Sequence, residues 1–226
     1  LRCLRATPPG RGVTATRPPL RLFIALSVVF SGCAGVPRRP DRVAPRDPRS
    51  AVVNTARSFI GAERLVVDGR RFPHDCSGFV RAVFLDALGI DLYQVQYGSR
   101  ESNGVTIIYR YCRENGNIHT ARTPREGDIV FFNNTYDRNR NGRMDDSLTH
   151  VGIVESVDRY GTVTFIHRTR VRGITRDTMN LYHPDRYRLG NRKEVVNSSL
   201  RVVRSPADRR PYLAGQLFDS FGSVFR

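Results

Sequence analysis

The sequence is poor in lysine, in long apolar runs and in cysteine. Of its 37 lysines and arginines only Lys193 is a lysine, a skew that reads as a compositional bias of the genome rather than selection at each site. The apolar run at 22–32, LFIALSVVFSG, is far shorter than the roughly 20 residues a helix needs to cross a bilayer, so no permanent membrane span is expected from it. No basic run is interleaved with aromatics, which removes the footprint of a single-strand nucleic-acid binder. There is no internal repeat. Of the four cysteines, only Cys76 and Cys112 lie beyond residue 33. Two thiols cannot complete a structural zinc site alone, although they could form one disulfide in an oxidising compartment.

Arg11, Arg17 and Arg21 precede the apolar run and Cys33 follows it. This order reads as a secretory signal over 1–32. Ser31, Gly32 and Cys33 resemble the cleavage box of bacterial lipoproteins, in which the cysteine is lipidated and holds the mature chain on a membrane of the cell envelope. Phe30 stands where that box prefers leucine, and secretion after cleavage at a small residue is the alternative. Residues 33–50, rich in proline and arginine, cannot bury enough surface to fold alone and are expected to be a tether. The remainder, 51–226, is one domain's worth of chain, expected as a monomer. With the five arginines of 1–32 and the net +3 of 33–50 set aside, +8 of the total +16 stays with that domain. Such a charge favours an anionic partner, wall polymer or anionic lipid ahead of nucleic acid.

Within the domain, RSAVVNTARSFI (49–60) has helical apolar spacing, with Gly61 as a stop. After a loop through Gly69, Asp75 stands where a cap belongs, and CSGFVRAVFLDALG places Phe79, Val80, Val83, Phe84 and Leu88 on one helical face. VTIIYRYCRENG could be a short helix or a strand, with Cys112 as buried filler. From 126 onward the pattern turns to strands: GDIVFF, HVGIVESV and TVTFIHRT, the last two forming an antiparallel hairpin around Gly161. Leu213, Leu217, Phe218 and Phe221 suggest a short closing helix. The class is α+β, with N-terminal helices packed on a small antiparallel sheet.

Alternation puts His150, Gly152 and Val154 on one face of their strand, and Val163, Phe165 and His167 on one face of the next. If those faces coincide, two histidines share one space. Cys76 opens a helix, where unpaired amides and aligned peptide dipoles lower a thiol's pKa, and small Ser77 and Gly78 leave the sulfur open. An imidazole can take its proton, and a polar neighbour can hold that imidazole in one tautomer. Taken singly, each residue has a plainer reading: a buried small side chain for Cys76, satisfied structural residues for the histidines.

The ordered pieces DCSGFV (75–80), GDIVFF (127–132), HVGIV (150–154) and FIH (165–167) resemble the NlpC-type cell-wall cysteine peptidases, a papain-like family. The resemblance implies Cys76 as nucleophile, with its backbone amide as an oxyanion donor, His150 as base and His167 as the orienting residue. It also implies peptidoglycan stem peptides as substrate, with the bond between γ-linked D-glutamate and the diaminoacid as the expected cut. No cofactor for catalysis is implied. Asp75 and the adjacent Ser77 are the substrate-binding candidates, Asp75 for a free amine of the stem. An amidase or acyltransferase on the same scaffold, or a noncatalytic wall-binding protein, are the alternatives.

Asp137, Asn139, Asn141, Gly142 and Asp145 occupy positions 1, 3, 5, 6 and 9 of an EF-hand-like loop, which suggests a structural calcium ion. Leu148 replaces the closing glutamate at position 12, with Asp146 as a substitute. Three interspersed arginines oppose cation binding, and an Asx-rich turn held by its own side chains is the alternative.

Overall fold

A computed structural model describes residues 47–94, 103–191, 193–203, 205 and 207–225. The signal segment, Cys33 and nearly all of the tether therefore lie outside the described residues. Helix α1 (Pro48–Ser58) starts three residues before the boundary expected from composition. Asp47 caps it, accepting from the Arg49 N–H, and proline takes the first helical position, where its missing N–H costs nothing. Asp68 and Gly69, both with positive φ, turn a minimal hairpin, β1 (Val66–Val67) and β2 (Arg70–Arg71), in place of the open loop expected there.

Helix α2 (Cys76–Leu88) runs from its Asp75 cap to Gly89, whose φ of 72° supplies the left-handed stop. Phe79, Val80, Val83 and Phe84 are fully buried, each contributing roughly 1.5–3 kcal/mol through burial. Helix α3 (Gly104–Asn115) resolves the ambiguous VTIIYRYCREN in favour of helix. Val105, Ile108 and Cys112 recur at helical spacing on its buried side.

The main sheet has six antiparallel strands in the order β3-β8-β4-β5-β6-β7. They are β3 (Asn117–His119), β4 (Ile129–Phe132), β5 (His150–Val157), β6 (Thr162–Thr169), β7 (Gly173–Asn180) and β8 (Phe218–Ser223). One face, with Ile129, Phe131, Val151, Ile153, Ile166 and Ile174, receives the three long helices. The other, with Val130, Phe132, Val154, Val163, Phe165 and Met179, is closed by the C-terminal segment around Ala214 and Leu217. The fold is thus α+β, with helices packed on an antiparallel sheet as expected.

Two elements differ from expectation. The closing helix is a single turn, α4 (Ala214–Leu217), and the chain then enters β8 in the middle of the sheet. Phe221 faces one side there, while Gly222 lets the strand lie against Cys112, whose Sγ would stand 2.8 Å from an added Cβ. β7 was not anticipated, because its only large apolar residues are Ile174 and Met179. Glu155, an extra residue in the β5–β6 ladder, is buried and accepts from Arg57 on α1 and Arg176 on β7 at 2.6 Å each, tying helix to sheet.

Candidate active site

Asp75 fixes the start of α2. Its Oδ1 accepts from the Gly78 N–H and from the Ser77 hydroxyl, both at 2.8 Å. Ser77 is buried and also accepts from the Tyr93 hydroxyl at 3.3 Å, which makes it part of the cap rather than an open donor for substrate. Gly78 has no room for a side chain: a Cβ would come within 1.9 Å of the Pro73 carbonyl oxygen. Cys76 is therefore carried on a backbone locked on both sides, and its side chain is half-buried.

The β5–β6 ladder begins at Ile153↔Ile166, so His150, Val151 and Gly152 pair with β4 alone. The backbone amides of Val151 at this opening, of Ser77 and of Cys76 itself favour the Cys76 thiolate. Cys76, His150 and His167 line one cleft of about 1010 Å³. Cys76 and Cys112 are both free, which removes the disulfide alternative.

The two histidines do share one space. His150 Nε2 lies 2.7 Å from His167 Nδ1, and the rings stand edge to face. Gly152 permits this, since a Cβ there would come within 3.1 Å of His167 Cβ and 3.0 Å of the Ile166 carbonyl oxygen. Beyond His167 the line continues to a residue that the sequence reading missed. His167 Nε2 lies 2.9 Å from Asp177 Oδ2 on β7, and Arg172 clamps both Asp177 oxygens, at 3.1 and 2.5 Å. The available signal was an acid on the alternation that carries Met179 inward, but without β7 it had no place.

This line fixes the protons. A carboxylate only accepts, so His167 Nε2 carries hydrogen and its Nδ1 is an acceptor. His150 Nε2 must then donate, which leaves the lone pair on His150 Nδ1, the form a general base needs. No Cys76–His150 hydrogen bond is made among the described residues; such bonds commonly tighten only when substrate is present.

Electrostatics correct one expectation. The helix-start amides of Cys76 and Ser77 do lower the Cys76 thiol, but burial first, and the neighbouring Asp75 charge second, outweigh them and push it up to about 11. Burial, followed by His167, pushes His150 down to about 3. The resting pair is neutral thiol and neutral imidazole, so the proton moves as the sulfur attacks. Burial raises Asp177, but its bonds from His167 and Arg172 outweigh this and hold it at about 2.

The loop at 137–146 gathers Asp137, Asn139, Asn141 and Asp145, as their spacing suggested. Their groups are turned on one another: Asp137 accepts from the Asn141 and Gly142 amides, and Asn141 Nδ2 donates to both Asp145 oxygens. Among the described residues no group of three or more His, Cys, Asp or Glu is placed to hold a metal ion. Buried Asp146 accepts from the Arg138 N–H instead. These contacts are those of the Asx-turn alternative.

The CHAP-domain family model matches residues 67–169, from β1 to the end of β6, spanning Cys76, His150 and His167. The chain carries a CHAP domain. CHAP domains belong to the NlpC- and papain-like group of cysteine peptidases and amidases, and a CHAP domain implies cell-wall hydrolase activity, of peptidase or amidase type. A comparison with curated proteins finds no match. Asp177 lies beyond the matched part of the CHAP domain, as does the segment 199–203 that completes the cleft wall.

Proposed function

We propose that the CHAP domain is a peptidoglycan endopeptidase, with Cys76 as nucleophile, His150 as base, His167 as orienting residue and Asp177 behind it. The line His150–His167–Asp177, ending in the cleft that Cys76 lines, carries this reading. His150 Nδ1 takes the thiol proton while sulfur bonds to the scissile carbonyl carbon, and the Cys76 amide donates to the oxyanion. The imidazolium then protonates the leaving amine as the carbon–nitrogen bond breaks. Water, deprotonated by His150, hydrolyses the thioester. Asp75 is exposed and caps through Oδ1 alone, which leaves Oδ2 for a free amine of the stem. The proposed cut is the bond between γ-linked D-glutamate and the diaminoacid, made in the cell envelope by a lipid-anchored or secreted enzyme.

Digestion of purified peptidoglycan, with the fragments identified by mass, tests this. Cuts within the stem support it, whereas whole stems released from the sugar would make the enzyme an amidase. Cys76→Ala with unchanged folding should give no turnover, and equal turnover would end the account. For the loop at 137–146 we keep a structural calcium as a proposal: one saturable heat per chain on calcium titration assigns it to the ion, and dilution heat alone assigns it to its Asx turns.

A further inference from the structure

Arg168 follows His167 on β6 and therefore faces the opposite side of the strand, the side on which α2 packs. It is half-buried and lines the same cleft. The register Ile153↔Ile166, continued toward the open end, sets Arg168 across from Val151, on the strand that also carries His150. Its Nη2 lies 3.1 Å from His74 Nδ1, two residues before the nucleophile. A guanidinium is thus held beside the N-terminus of α2, where the peptide dipoles are also positive.

What distinguishes this cation is a buried donor left unpartnered. Among the described residues Arg168 makes no ion pair, and its buried Nε has no hydrogen-bond partner. Of the neighbouring arginines of the cleft, Arg172 is engaged by Asp177, Arg210 by Asp208 and Arg201 by the Asn134 carbonyl, while Arg170 is exposed to solvent. A buried donor of a fixed charge without an acceptor is rare in folded proteins. Beside a nucleophile, the chemistry that satisfies it is a carboxylate taken in fork fashion.

Resting on the peptidase reading, we propose that Arg168 is a specificity-determining residue that binds a free carboxylate of the stem peptide next to the scissile bond. With Asp75 at the start of α2 as the negative group, the cleft would recognise a substrate carrying both charges. Two carboxylates can flank the proposed cut: the α-carboxylate left free by the γ-link of the glutamate, and a carboxylate of the diaminoacid where the stem ends at that residue or where its side chain carries one.

The test uses the full chain and three synthetic stem peptides, one with both carboxylates free and one amidated at each position. Wild type should prefer the free acid by about ten- to hundredfold in kcat/KM over one of the amides, as expected for a charge-assisted pair. The arm that shows the loss identifies the carboxylate. Arg168→Gln should bring that ratio close to one, Arg168→Lys should keep part of it, and the Gln variant should melt no lower than wild type, since an unsatisfied donor is removed. Equal loss on acid and amide, or no acid preference in wild type, overturns the assignment. Binding to Cys76→Ala, measured by calorimetry with the same peptides, separates the two readings. An acid preference in binding that Arg168→Gln abolishes upholds Arg168 even if no peptide is cut, and absence of both binding and cleavage overturns both.

Discussion

Replacing Asp177 by asparagine keeps the size of the side chain and removes its charge, which makes it the sharpest probe of the histidine line. The carboxylate forces hydrogen onto His167 Nε2 across 2.9 Å, and that choice is passed on to His150 across 2.7 Å. An asparagine can turn its NH₂ toward His167, place the hydrogen on His167 Nδ1 and thereby move the His150 hydrogen to Nδ1. The base would then face the cleft with a proton where it needs a lone pair. A wrong tautomer in the comparable serine-protease arrangement costs about 10⁴ in kcat, and a loss of about 10²–10⁴ is expected here, with KM little changed. Stability should change less. The depression of Asp177 from 3.8 to about 2 corresponds to at most about 2 kcal/mol, discounted because the Arg172 side chain is 49% exposed. Steady-state kinetics on a defined stem peptide, with a urea titration of both proteins, reads both effects. An asparagine variant within threefold of wild-type kcat at equal stability would show that the tautomer argument is wrong.

Gly152→Ala should cost about 1–3 kcal/mol, because the new methyl meets the Ile166 carbonyl and His167 Cβ, and activity should fall with it as His167 leaves His150; a melting curve and a rate on the same sample check this. Iodoacetamide should label Cys76 in the cleft and spare Cys112, which is fully buried and pushed up to about 12, until denaturant is added; peptide mapping reads the ratio, and equal labelling would place the sulfur wrongly. Stability should fall as pH drops below about 6.5. His150 and His167 are held neutral in the fold, so between that pH and their lowered values the unfolded chain takes up protons that the native state refuses. Urea midpoints from pH 8 to 4 should decline accordingly, and less steeply in His167→Gln.

The parts of the site legible in the sequence are those whose signal is local. Asp75 and Gly89 punctuate α2 by cap and stop, and Phe79 to Phe84 supply its face, so the position of Cys76 could be read directly. The β5–β6 hairpin was legible through alternation on both sides of Gly161. Asp177 was hidden because β7 owes its place to pairing with β6 along its whole length, from Thr162↔Asn180 to Thr169↔Gly173, rather than to its own apolar content. The closing segment misled because Leu213 to Phe221 has helical apolar spacing, yet its second half is held by β3 and β4 on either side. The thiol's raised value was out of reach for a related reason: the helix is local, whereas the desolvation that overrides it comes from strands some 75 residues further along the chain.

The placement of β8 bears on how the molecule is made. Residues 218–223 fill the slot between β3 and β4, strands formed some 90 residues earlier in the chain. Until they are synthesised, β4 has an unpaired edge and the wall opposite α3 is missing, so the sheet cannot settle before residues 218–223 have been added. Pairing at such long sequence separation is slow. The floor beneath His119 and Phe131 is therefore the latest part of the sheet to close, although it lies at the sheet's middle rather than its edge.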